Sequence, residues 1–289
     1  MYPTFLGIGT TKAGTTWLYA NLREHPQIWL PPIKEIHYFD SKEKEFSEKD
    51  HNRFEFKRRG FQYWRYRIRK RLDEGHLSLS WRHIIWYCRY FSGKRDDNWY
   101  SSLFPYRGYQ VIGDISPGYD NVSSATIARI HELMPRAKII LMLRNPIYRT
   151  WSSLRMEAAI FGNPNLDNEL EVIEFIASRV ASENYLQTIE KWNGYFPAER
   201  MFIGFFDEIA ECPLDLLNKL CVFLEVSPES GGFSKTIQKR FNKGASAPLS
   251  PKVSKYLAHS HYPYLRELSD RFGSYAKDWL AHAEEILSE

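Results

Sequence analysis

Residues Gly9 to Trp17 read Gly-Thr-Thr-Lys-Ala-Gly-Thr-Thr-Trp and follow the short apolar run Phe5-Leu6-Gly7-Ile8. This pattern predicts a strand running into a glycine-bearing turn that opens a helix over Thr15 to Leu22. Such a turn presents backbone N–H groups at a helix N-terminus, where orphan donors and the helix dipole stabilise an anion. Lys12 sets a cation inside the loop, and Thr15 and Thr16 add hydroxyl donors. The nucleotide P-loop, Gly-x4-Gly-Lys-Ser/Thr, has the same glycine spacing. Here, however, Thr15 follows Gly14, and the lysine precedes that second glycine. The chemistry implied is recognition of a phosphate-like group, with the cation displaced from its position in nucleotide triphosphatases.

Further segments carry reactive types. One is Lys34-Glu35-Ile36-His37-Tyr38-Phe39, and a second is Gly113-Asp114-Ile115-Ser116-Pro117-Gly118-Tyr119. A third is Leu143-Arg144-Asn145-Pro146-Ile147-Tyr148-Arg149-Thr150-Trp151-Ser152, and Asn242-Lys243-Gly244 comes late in the chain. In the third, a strand ends with Arg144 at its tip, Pro146 starts a helix, and Ser152 lies about two turns in. An arginine fork with a hydroxyl suits a terminal phosphate. Arg149 and Arg155 read as solvent-facing or ion-paired. Glu35 and His37 are competing candidates for a general base, since an imidazole ordinarily titrates near pH 6.5. The plainer reading of Glu35 is a surface pair with Lys34 or a helix-start carboxylate.

The elements that must position these groups are legible as alternating strands and helices. Val111-Ile112-Gly113, Lys138 to Leu143 and Met201 to Phe206 read as short, nearly all-apolar strands of a buried parallel sheet. Ser123 to Met134, Leu170 to Phe196 and Pro213 to Leu224 read as helices. The alternation predicts right-handed βαβ units. Ligands of such sheets bind at the carboxyl ends of the strands, where the phosphate loop, Gly113 to Tyr119 and Arg144 fall.

Composition bounds the remainder. At 289 residues with a formal charge of +4, the chain is not read as a nucleic-acid binder. Aromatic content is 16%, with nine Trp, and most of these rings are expected in the core. Cys88, Cys212 and Cys221 show no metal or disulfide spacing, so reduced thiols are expected. With the anion loop starting by residue 9, no signal peptide is expected before the first strand, and no apolar run reaches the roughly 18 residues of a membrane span. A cytoplasmic protein without a membrane span is therefore expected. Residues 53–95 hold thirteen Lys and Arg against three Asp and Glu, a local +10, with eleven aromatic residues. Two readings stand: an amphipathic helical insertion with a solvated basic face, or a lobe that attracts an anionic or aromatic acceptor.

Together these motifs resemble those of the PAPS-dependent sulfotransferases, which use 3′-phosphoadenosine 5′-phosphosulfate (PAPS). Thr11 to Trp17 is similar to that family's 5′-phosphosulfate loop, which implies donor contacts from Lys12, Ala13, Gly14, Thr15, Thr16 and Trp17. Arg144 to Ser152 is similar to its 3′-phosphate motif, and Lys243-Gly244 to the late loop that covers the nucleotide. Tyr185 with Trp192 resembles the segment whose tyrosine lies near the adenine. The likeness runs from Phe5 to about Trp279. Lys34-Glu35-x-His37-Tyr38-Phe39 resembles the carbohydrate branch that includes the heparan sulfate enzymes, here as a bacterial-like soluble form.

The resemblance implies an α/β fold: a P-loop-like parallel sheet flanked by helices, with a helical aromatic and basic insertion. It implies one sulfotransferase domain over 1–289; residues 53–110 have no counterpart in that family and are read, from their basic and aromatic content, as an acceptor-side insertion. It further implies sulfuryl transfer from PAPS to a hydroxyl or amine of a glycan or small molecule, leaving adenosine 3′,5′-bisphosphate (PAP). Glu35 would be the general base, Lys12 would stabilise the leaving bisphosphate, and no metal would be needed. Asp114, Ile115 and Ala245 depart from the family's glutamate, lysine and arginine, and so from a heparan-like acceptor. The alternatives are a P-loop kinase or NTPase, which lacks its lysine at Thr15, and a non-catalytic glycan-binding module. An intact set of Lys12, Glu35, Arg144 and Ser152 argues against the module.

Overall fold

The computed structural model describes residues 1–41, 81–92, 94–104, 108, 111–178, 184–228, 237 and 248–289. Five strands, β1 (Phe5–Gly9), β2 (Ile28–Trp29), β3 (Val111–Ile115), β4 (Lys138–Leu143) and β5 (Met201–Phe205), form one parallel sheet. Their order is β2-β3-β1-β4-β5. The chain leaves β1 toward β2 and β3 on one side, then crosses back to β4 and β5 on the other. The direction reverses between β1 and β4, and in such sheets the ligand crevice opens at that reversal.

Burial on both faces explains why the strands are apolar throughout. Leu6, Ile8, Ile139, Leu141 and Leu143 pack into one core, whereas Phe5, Ile115, Ile140 and Met142 pack into another. Alternate side chains of a strand point to opposite faces, so each strand feeds both cores. The second core is closed by α1 (Thr15–Leu22) and a later helix, Pro213–Leu224, through Leu18, Leu22, Leu217 and Leu220.

Between β2 and β3, the described residues contain α2 (Trp81–Phe91) and α3 (Asp97–Ser102). Helix α2 buries Trp86 and Tyr90 and exposes Ile84, Ile85 and Phe91. Asp96 caps α3 by accepting from the Trp99 N–H at 2.9 Å. The basic run over 53–80 lies outside the described residues. The other face of the sheet carries α4 (Ser124–Leu133), α5 (Pro146–Phe161), α6 (Glu169–Ala177) and α7 (Tyr185–Asn193). The single helix expected over Leu170 to Phe196 is therefore two. Asn168 and Asn184 each accept from the backbone N–H three residues on, so each starts a new helix.

After β5 come α8 (Glu208–Glu211) and α9 (Pro213–Leu224), then α10 (Pro251–Phe272) and α11 (Ser274–Ser288), which pack on each other as a hairpin. Neither β2 nor this hairpin stood out in the sequence. The strand has two residues, and Pro263 interrupts the helical pattern of α10. No described helix is long and apolar enough to cross a membrane.

Candidate active site

The loops after β1, β3, β4 and β5 meet at the carboxyl edge of the sheet. Gly14 precedes α1 with φ 86°, a left-handed conformation in which a Cβ would fall 2.3 Å from Ile209 Cδ1. Glycine is thus required both by backbone and by space. Lys12 is also left-handed, at φ 69°, a conformation that non-glycine residues adopt at some cost. Its Nζ lies 3.9 Å from Met156 Sδ on α5.

Arg144 joins this loop to the adjacent strand end. Its guanidinium donates to the Lys12 carbonyl at 2.8 Å and sits 4.2 Å over the Phe206 ring. Burial lowers its pKa, and the fields of Arg155 and Arg149 push the same way against Tyr185 and Asp207. Arginine fields thus converge on this strand end, an arrangement that favours an anion. Tyr185 donates its hydroxyl to the Arg144 carbonyl at 2.8 Å, and the Arg149 guanidinium lies 5.2 Å from the Tyr185 ring centre. Arg149 is buried, which rules out the solvent-facing one of its two readings and leaves the ion-paired one standing. Helix α5 starts beside Arg144 because Asn145 caps it and Pro146 occupies its first turn. Ser152 is buried farther along the same helix.

The second half of the site is the segment before a helical turn that begins at Tyr38. Glu35 and His37 both have positive φ, 66° and 53°. The Glu35 N–H donates to the Ile115 carbonyl at 3.1 Å. Lys34 is buried; its ammonium donates to Glu35 Oε1 and, at 3.2 Å, to Thr15 Oγ1. The expected Lys34–Glu35 pair exists, but it is an interior pair that fastens the base candidate to the first residue of α1.

His37 lies between two carboxylates, with Nδ1 at 2.8 Å from Asp40 Oδ2 and Nε2 at 3.5 Å from Glu35 Oε2. Burial opposes its charge, but Asp40 and Glu35 prevail and hold the imidazole pKa up to about 9. Gly118 permits this approach: a Cβ there would lie 2.5 Å from Asp40 Oδ2 and 3.4 Å from His37 Nδ1.

Behind the segment sits Asp114, fully buried at the end of β3. It accepts from Ser116 Oγ at 2.8 Å and from the hydroxyls of Tyr119 and Tyr100 at 2.9 Å each. Burial raises its pKa and the three hydroxyls oppose that rise.

Among the sequence candidates, the fold gathers Lys12, Gly14, Thr15 and Arg144 around one crevice, and Lys34 ties Glu35 to it. Tyr185 backs Arg144. The side chains of Trp17 and Ala13 belong to the core, which leaves their backbone as the part that faces the loop, and the Trp17 indole N–H donates to the Ile237 carbonyl at 2.9 Å. The β1–α1 turn aims these side chains at the second core. Thr16 is half-buried at the start of α1. Lys243 and Gly244 lie outside the described residues. Lys34, Asp40, Arg149 and Phe206 were missed as members of the site. Asp40 was discoverable, because His37 and Asp40 have the three-residue spacing that brings side chains together on a helical turn.

A parallel sheet with a phosphate loop at its reversal point defines a P-loop-like α/β protein. The chain belongs to the sulfotransferase family, whose model matches residues 3–230. The family's chemistry is sulfuryl transfer. The chain is similar to the membrane-associated sulfotransferase kil1 of Dictyostelium discoideum, at 30% identity over 52% of this chain and 22% of that protein. It is also similar to the bifunctional heparan sulfate N-deacetylase/N-sulfotransferase of Drosophila melanogaster, at 25% identity over 92% of this chain and 24% of that protein. The chain thus spans less than a quarter of the length of either curated relative. The fold matches a sulfotransferase from Alicyclobacillus acidocaldarius with a TM-score of 0.66 at 23% identity, covering 96% of this chain and 99% of the other.

Proposed function

We propose that this protein transfers the sulfuryl group of PAPS to a hydroxyl or amine of a glycan or small-molecule acceptor, leaving PAP. The observation that carries this reading is the 2.8 Å bond from Arg144 to the Lys12 carbonyl, which merges two anion motifs into one crevice. The residues present fit a bisphosphate donor. Lys12 with the Gly14 turn and the α1 N-terminus suits its 5′ group, and Arg144 with Ser152 suits its 3′-phosphate. Lys243 and Gly244 are proposed to cover the nucleotide, and Tyr185 to border the adenine.

When bound, such a donor supplies an S–O bond whose cleavage leaves negative charge on a phosphate oxygen. Lys12 is placed to neutralise that charge as it grows, a form of electrostatic stabilisation. Glu35 takes the acceptor proton. Of the two candidate bases, the pKa of about 9 favours Glu35, because at neutral pH the His37 imidazole already holds its proton. His37 then orients Glu35 as a cation between two carboxylates. The kinase alternative lacks a lysine at Thr15. The likeness to a heparan sulfate enzyme favours a glycan acceptor, and Ile115 in place of the branch's lysine favours one less acidic than heparan.

Thermal unfolding with PAP beside ATP–Mg²⁺ tests the donor. A ligand at 100 times its Kd stabilises by about 2.7 kcal/mol. Stabilisation by PAP is expected; stabilisation by ATP–Mg²⁺ alone would overturn the reading. Glu35→Gln is expected to lower kcat by roughly 10²–10⁴ while PAP affinity stays at the wild-type value. Full turnover by that variant would remove Glu35 as the base.

A further inference from the structure

We propose that Asp114 is a positioning residue for the Glu35–His37 pair, acting through the hydroxyls of Ser116 and Tyr119 on the backbone that carries both side chains. The inference deepens the reading above and rests on it for the role of Glu35. Its geometry is independent of the donor.

An ionised carboxylate only accepts hydrogen bonds, whereas a hydroxyl donates one and accepts others, its proton rotating to suit. Ser116 Oγ and Tyr119 OH therefore turn their protons toward Asp114 and their lone pairs toward the facing segment. There Ser116 Oγ accepts from the His37 N–H at 3.3 Å and Tyr119 OH accepts from the Tyr38 N–H at 3.1 Å. Two successive amides are thus pinned by hydroxyls whose polarity one buried carboxylate sets. These amides belong to the stretch in which His37 holds φ 53° and Glu35, two residues earlier, holds φ 66°. Such backbone persists only where its surroundings over-determine it. The third donor, Tyr100, comes from α3 and also stacks on the Tyr38 ring at 4.7 Å. The insertion before β3 is thereby joined to the same anchor. A buried, fully partnered polar network of this kind specifies one arrangement, since any slip leaves a group unsatisfied.

The groups that face His37 are Glu35 and Asp40 from its own segment, Asp114 from β3, and the Ser116 and Tyr119 hydroxyls beyond it, with Lys34 on the far side of Glu35. If the anchor positions the pair, loosening it lengthens the distances from His37 to Asp40 and Glu35 and lets its pKa fall toward 6.5.

The test is an NMR titration of the His37 imidazole, assigned by comparison with His37→Gln, in the full chain. Ser116→Ala and Tyr119→Phe leave the Asp114 charge in place and remove only a relay hydroxyl. Each is expected to lower the His37 pKa by roughly 1 unit or more and to slow PAPS turnover at least about tenfold, with the PAP-induced stabilisation retained. Two variants are used so that misfolding of one leaves the other informative. An unshifted His37 in both folded variants overturns the proposal. So does a shift confined to Asp114→Asn, which would make the effect one of charge alone. Failure of the wild type to respond to PAP would instead remove the donor reading, while the His37 titration still decides the anchor.

Discussion

His37 carries its proton through the neutral range because two carboxylates outweigh its burial, and that has a measurable consequence. A histidine whose folded pKa is raised from 6.5 to about 9 stabilises the fold fully below pH 6.5 and loses that contribution as pH rises to about 9. The upper bound is about 3 kcal/mol, at 1.36 kcal/mol per unit. Urea unfolding at pH 6.5 and at pH 9.5 should show this alkaline loss, and His37→Gln should flatten it. A wild-type stability that is level across the window would mean the pair is not held as described. Lys34 makes a related point: a lysine with an interior position, bonded to both Glu35 and Thr15, is a structural member of the site rather than a surface charge.

At the scale of elements, the turn after β3 fits closely against the segment bearing Glu35 and His37. Gly118 is the point of contact, and Gly118→Ala would drive a methyl into the Asp40 carboxylate. Overpacking of this kind typically costs about 1–3 kcal/mol. Turnover should fall with it, because the His37–Asp40 pair must shift, while PAP binding at the β1 and β4 ends should hold. A crystal structure of the variant with an unmoved Asp40 would refute this. The turn from β1 into α1, the place of Arg144 at a strand end and the main strands could be read from the chain because each is local: a turn signal, a strand end, an apolar run. The anchor could not. Asp114 meets Tyr100, Ser116 and Tyr119 only once α3 and the turn fold over β3, and nothing in Gly113 to Tyr119 taken alone distinguishes a buried acceptor of three hydroxyls from an acidic site residue. The burial of Arg149 was hidden for a similar reason. It stands beside the Tyr185 ring, a contact between separate helices that no local pattern encodes. The split between α6 and α7 was obscured because both segments share a helical apolar period, and the local sign of a new start is the Asn184 cap.

Across the whole molecule, the α10–α11 hairpin packs behind Arg144 and its neighbours. His261 on α10 contacts Thr150 Oγ1 at 3.1 Å, Tyr264 packs on Tyr185, and the Trp279 indole N–H donates to Asp207 Oδ1 at 3.3 Å. Burial, with the field of Arg149, lowers the His261 pKa to about 4. A depressed histidine contributes stability that is complete above pH 6.5 and declines as pH falls toward 4, again by up to about 3 kcal/mol. With His37 acting in the opposite direction, maximal stability should lie near pH 6.5. His261→Gln should remove the part of the acid limb between pH 6.5 and 4 that carboxylates do not account for. An unaltered acid limb would show that the ring is hydrated or paired when protonated.

The hairpin also bears on how the molecule is made. Lys12, Gly14 and the strands that seat them leave the ribosome before the hairpin does. Tyr264 and Trp279 emerge long afterwards, beyond residue 230 where the family match stops. A nascent chain therefore holds a phosphate loop before it holds the wall behind Arg144. A shortened clone cut at the family boundary would be left permanently at that stage of manufacture.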